Sequence, residues 1–242
     1  MIHSVSETGW STLPQDIIFT ILSQGTIDWS AETARAMSQV CREWRNKIIM
    51  DHHIMESIKF SSLRYRPHAK RFKPGVSEVP VLHRALLSSN VTACIVTARY
   101  HSSYSNYSPA CKYWKIAAKK AHPEALAMLA FEYYAGRGAD KDPEEAYLLF
   151  NRVCKMLDNI IVELNIDEKN ESPIPPLMTE ESCKRILQFS SHVLAILILD
   201  NEFMSPFDKS TTSAVKWLKK SQMHGCPEAG KLLQSMFRNG QY

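Results

Sequence analysis

Asp51-His52-His53 is the most suggestive cluster of titratable side chains in the sequence. Two imidazoles beside a carboxylate can bind a metal or relay a proton. No second ligand pair stands at helical spacing to complete such a site, so the triplet reads as an exposed helix end. Glu144 and Glu145 offer paired carboxylates, but they follow Asp142-Pro143, which is how a helix starts rather than how an acid/base pair is set. The six cysteines (Cys41, Cys94, Cys111, Cys154, Cys183, Cys226) are scattered, with no CxxC pair and no Cys/His cluster at zinc spacing. Neither a phosphate-cradling glycine loop nor a nucleophile elbow occurs. These residues predict no catalytic centre, no metal site and no cofactor.

The elements that would position any site are helical. Only eight glycines and almost no alternating β-branched runs are present, while apolar residues recur at three-and-four spacing nearly everywhere. The expected class is all-α. With 242 residues, 45% hydrophobic and 22% charged, the chain can bury one good core, or a small module plus a larger one. A net charge of +4 forces neither nucleic-acid nor membrane binding. The start, "MIHSVSETGW", has no basic n-region or apolar h-region, and the longest apolar run, Val193 to Leu199, is too short to span a bilayer. Three N-x-S/T matches, at Asn90, Asn106 and Asn170, carry little weight without a secretory route. The expectation is a cytoplasmic or nuclear protein with free thiols and no membrane partner.

Three zones follow along the chain. In the first, 10–58, Pro14 suits a first helical turn and Asp16 complements the dipole there. Ile17, Ile18, Ile21 and Leu22 then make one apolar stripe, ended by Gly25. A second helix, starting after Ser30, aligns Met37, Val40, Cys41 and Trp44 on a face. The second zone, 59–76, is basic and broken by Pro67 and Pro74; it reads as a connector, with an anion-binding or nuclear-localisation patch as the sharper alternative.

The third zone, 77–242, repeats. Ala110, Lys112, Lys115, Pro123, Glu124, Ala125, Leu129 and Gly136 each meet an identical residue 104 positions later. A further copy begins at Ala146, 36 residues after Ala110, and is interrupted by an insertion at about 155–182 containing "ESPIPP". A fainter copy lies 32 residues upstream, where Val81, Leu82, Ala85 and Ala93 meet Tyr113, Trp114, Ala117 and Ala125. The units are therefore near 77–109, 110–145, 146–213 and 214–242. Each reads as two antiparallel helices, broken at His122-Pro123 or Cys226-Pro227, because a residue before proline avoids the α region. One such hairpin cannot bury its apolar faces alone, so neighbours must stack into a solenoid. Tyr113, Trp114, Tyr133, Tyr134 and Trp217 are expected mainly between helices.

Two resemblances rest on these residues. A-x-x-[YW]-[WL]-x-x-A-A from Ala110, then H-P-E-A from His122, Y-x-x-G-R-G from Tyr133 and D-P-E-E-A from Asp142 resemble the Sel-1-like repeat, a tetratricopeptide relative. In the N-terminal zone, Leu13-Pro14, Asp16, Ile17-Ile18, Ile21-Leu22 and "VCREWR" at Val40 to Arg45 resemble an F-box. Gly25 departs from that pattern, where a leucine usually follows the first helix. The combination is similar to plant F-box proteins carrying Sel-1-like repeats.

The F-box resemblance implies docking on the Skp-type adaptor of a cullin-RING ubiquitin ligase. The residues implied are Leu13, Pro14, Ile17, Ile18, Ile21, Leu22, Val40, Cys41, Trp44 and Arg45, with Trp44 the best single anchor. The repeat resemblance implies a surface for a client protein, whose identity the sequence does not reveal. The expected function is thus the non-catalytic, substrate-recognition subunit of an SCF-type ligase, the alternative being a plain solenoid scaffold. Nucleic acid is an unlikely partner; the basic stretch Lys59 to Lys73 alone would serve it.

Overall fold

Pro123 and Pro227 should each open a helix, and both do. The computed structural model describes residues 50–60, 80–166, 178–200 and 211–238. Its regular elements are α1 (His52–Ser57), α2 (Pro80–Leu87), α3 (Val91–Ser103), α4 (Tyr107–Lys119), α5 (Pro123–Ala135), α6 (Pro143–Ile166), α7 (Glu180–Asp200), α8 (Thr211–Met223) and α9 (Pro227–Arg238). The fold is all-α, and the chain divides into two compact units, residues 1–100 and 101–242.

In the first unit α1 packs on α2. Asp51 starts α1 by accepting the Ile54 amide on Oδ1 at 3.0 Å, and Met55 and Ile58 are almost fully buried. Asn90 holds this segment in place. Its Nδ2 lies 2.9, 2.8 and 2.7 Å from the carbonyls of Met55, Glu56 and Ile58. Its Oδ1 accepts from Thr92 Oγ1 and from the Ala93 amide, both at 2.8 Å. One buried amide thus satisfies the end of α1 and caps α3, which a chain end without internal partners needs. Asn90 is 1% exposed, so the glycosylation match there is a packing residue.

In the second unit helices pack in chain order, α4 on α5, α5 on α6, α6 on α7, α7 on α8 and α8 on α9, with α5 also touching α7. This is a solenoid of three hairpins. The small residues stand where backbones approach: Ala117, Ala125, Ala214 and Ala229 are completely buried. Trp114, Phe150, Leu126, Leu157 and Leu194 fill the space between, each worth roughly 2 kcal/mol or more relative to exposure. The turn inside a hairpin recurs too. Ser89, Ala121 and Gly225 occupy equivalent positions, and all have positive φ (54°, 57° and 93°). The next residue in each turn (Asn90, His122 or Cys226) donates its amide to the carbonyl of Ala85, Ala117 or Ser221. That left-handed turn reverses the chain and satisfies a carbonyl at the helix end.

Of the described residues in the 155–182 insertion most are helical: α6 runs on past Lys155 to Ile166, and α7 begins at Glu180. Apolar spacing continues through Leu157, Cys183 and Leu187, all buried, so the hairpin lengthens instead of looping out. The "ESPIPP" stretch lies outside the described residues. The apolar run at Val193 also belongs to a longer element than its seven residues indicate. By length and composition alone α7, with 21 residues, can cross a bilayer, yet half of its most apolar window is buried inside the protein.

Candidate interaction surface

The residues expected to dock on an adaptor (Leu13, Pro14, Ile17, Ile18, Ile21, Leu22, Val40, Cys41, Trp44 and Arg45) lie outside the described residues, as does the 61–76 part of the basic connector. The other sequence-predicted groups can be placed. His52 and His53 are exposed at the start of α1, and His52 faces Glu56 at 3.8 Å one turn on. Asp51 beside them is committed to capping. Asp142 likewise caps α6, accepting the Glu145 amide at 3.0 Å, so the Glu144-Glu145 pair marks a helix start.

The Y-x-x-G-R-G stretch builds a polar knot at the edge of the core. Gly136 closes α5 in the left-handed region. Gly138 passes so near Tyr107 that a Cβ would sit 2.4 Å from the Tyr107 carbonyl oxygen. Between them Arg137 lies over the rings of Tyr107 and Phe131, at 4.2 and 4.6 Å, and reaches the buried Glu132 at 3.4 Å. Burial pushes the Glu132 carboxyl above its ordinary range; Arg137 and the Gly138 amide oppose that shift without cancelling it.

Of the aromatics, Trp114 is fully buried between helices, but Tyr113, Tyr133, Tyr134 and Trp217 are only half-buried. Tyr113 stacks on His101, Lys115 covers Tyr133, and Lys220 covers Trp217 while pairing with Asp158. These rings lie at the rim rather than in the core, three of them with a cation or imidazole against a face. The five described cysteines are buried, and none is in a disulfide. Burial pushes the Cys154 thiol up to about 11, which makes it a packing group rather than a nucleophile.

The first helices of the three hairpins each carry a recurring exposed stripe. In the order of the repeat, one column holds Lys112, Leu148 and Lys216. The next holds Lys115, Asn151 and Lys219, and the third Lys119, Lys155 and Met223. Within each helix these positions fall at i, i+3 and i+7, a single stripe. All are exposed except Asn151, which is half-buried. The Lys220–Asp158 pair joins α8 to α6, and Tyr147 of α6 packs against the cluster of Ile198 and Ala214. Neither α4 nor α8 contains an acidic residue. The acids of α6 are Glu144 and Glu145 in its first turn, Asp158 in its ion pair and Glu163 beyond the columns. The lysine identities at 112/216 and 115/219 are visible in the sequence, where they served only to mark the repeat; their shared exposure needed the structure.

No protein-family model matches the chain, and no curated protein matches it in sequence. Among solved structures it is similar to a Sel1 repeat protein from Oxalobacter formigenes, at 20% identity over 64% of this chain and 95% of that one, with a TM-score of 0.44. It is also similar to a protective antigen of uropathogenic Escherichia coli strains that displays an SLR fold. That match has 16% identity and a TM-score of 0.40, and it covers 95% of this chain and 50% of the antigen, so the chain spans half of the antigen's length.

Proposed function

We propose that the chain is a protein-binding scaffold, and within that class the non-catalytic substrate-recognition subunit of an SCF-type ubiquitin ligase. Leu13, Pro14, Ile17, Ile18, Ile21 and Leu22, with Val40, Cys41, Trp44 and Arg45, dock on a Skp-type adaptor and through it on a cullin. The hairpin array presents a client protein, in the cytoplasm or nucleus. The observation that carries this reading is the order of parts: "LPQDI" and "VCREWR" precede a helix-hairpin array that buries its own core and keeps a repeated outer face in solvent. A docking stripe has no need of reactive groups. Several aliphatic side chains at about 25 cal/mol per Å² supply the centre of an interface. Co-expression with a Skp-type adaptor should give a complex that survives gel filtration, and Leu13→Lys with Ile17→Lys should abolish it. A folded wild-type chain that elutes apart from the adaptor would remove the ligase assignment.

A second reading, a scaffold unconnected with ubiquitination whose N-terminal helices belong to its own repeat array, is favoured by one contact. The Asn90 amide ties residues 55–58 to α3. Removing residues 1–49 separates the two readings. The docking reading expects a folded remainder that ignores the adaptor, and the scaffold reading expects loss of the cooperative thermal transition. Truncation at residue 58 is uninformative, since it deletes the carbonyls that Asn90 binds.

A further inference from the structure

We infer that the outer face of α4, α6 and α8 binds an acidic protein segment carrying aliphatic side chains, an assignment that rests on the protein-binding reading above. Six of its nine repeat-equivalent positions are lysines: Lys112, Lys115, Lys119, Lys155, Lys216 and Lys219. None of the six pairs with a carboxylate among the described residues. Neither α4 nor α8 carries an acid, and those of α6 are Glu144 and Glu145 in its first turn, the ion-paired Asp158 and Glu163. A face with an excess of one sign attracts the opposite charge.

The recurrence of the pattern separates it from scattered surface charge. Lys112 and Lys115 return as Lys216 and Lys219, and Lys119 returns as Lys155. Each first helix therefore carries at least one lysine on the stripe, and each column carries two.

The remaining positions decide what kind of polyanion fits. Leu148 is 54% and Met223 84% exposed, in the same columns as the lysines. An aliphatic chain and a flexible thioether among ammonium groups suit a peptide that alternates carboxylates with apolar residues. Nucleic acid makes other demands. It favours arginine forks on phosphate and open aromatic faces on which bases stack. The columns contain no arginine and no aromatic residue.

The test uses the full chain and fluorescence anisotropy with three labelled probes of equal length. They are a peptide alternating glutamate with leucine, its glutamine counterpart and a uridine oligonucleotide. The glutamate peptide should bind most tightly and should weaken about tenfold between roughly 50 and 300 mM salt. Reversing Lys112, Lys115, Lys216 and Lys219 to glutamate should cut its affinity by at least about tenfold. The four-glutamine version, which adds no repulsion, should show the same direction with an unchanged circular dichroism spectrum. Lys231→Glu with Arg238→Glu, on α9, should leave affinity unaltered. Tighter binding of uridine, or indifference to the four substitutions, overturns the inference. Equal binding of the glutamine peptide also overturns it but leaves a peptide-binding scaffold standing, whereas a folded chain that binds no probe removes both. Adaptor binding by the lysine variants should be unchanged, which keeps a failure of this face distinct from a failure of the N-terminal assignment.

Discussion

Asn90 and Glu132 each bury a polar group, and they settle the cost in different ways. Asn90 meets carbonyls with its amide and amide N–H and hydroxyl donors with its oxygen, so its burial is compensated throughout. Asn90→Ala would strand several of these partners. The expected loss is about 3 kcal/mol in a urea titration. Glu132 is less well served: Oε1 reaches Arg137, while Oε2 is buried with no hydrogen-bond partner. Its raised pKa means that the folded state holds this proton more tightly than the unfolded chain does. The stabilisation is therefore complete below the ordinary glutamate value of 4.5 and is lost as pH rises through the raised value. Glu132→Gln should flatten that part of the pH dependence, so that as pH rises above the ordinary glutamate range the variant loses less stability than the wild type. Urea midpoints across that rise check the sign.

At the scale of elements, the hairpin turn is the repeat's most regular feature. Gly225 tolerates its left-handed backbone, whereas Ala121 takes the same conformation with a Cβ. The strain at Ala121, about 1–2 kcal/mol, exceeds the entropy that a glycine adds to the unfolded chain. Ala121→Gly should thus raise stability by about 0.5–1 kcal/mol, read as an upward shift in Tm. Helix boundaries were legible in the sequence because prolines and the repeat register mark them: α5 and α9 both begin on the proline of H-P-E-A or C-P-E-A. The extensions of α6 and α7 were not legible. A proline-rich linker drew attention to a break, while apolar spacing at Leu157, Cys183 and Leu187 already carried the helices past it. The half-buried tyrosines misled for another reason, since spacing says which side of a helix a ring is on and not what covers its edge.

For the whole molecule, the proposal places two surfaces on one chain, an N-terminal aliphatic stripe proposed for an adaptor and a lysine-rich array face proposed for a client. Periodicity exposed the first and the repeat register the second, but neither names a partner, because partner identity lies in the complementary surface. The central claim is that the N-terminal stripe belongs to another chain. Titrating a Skp-type adaptor into the full-length protein by calorimetry tests it most directly. The account predicts saturable binding in about the micromolar range or tighter, weakened at least about a hundredfold by Leu13→Lys with Ile17→Lys. Absence of binding heat at several temperatures from a folded, monomeric wild-type chain would contradict it.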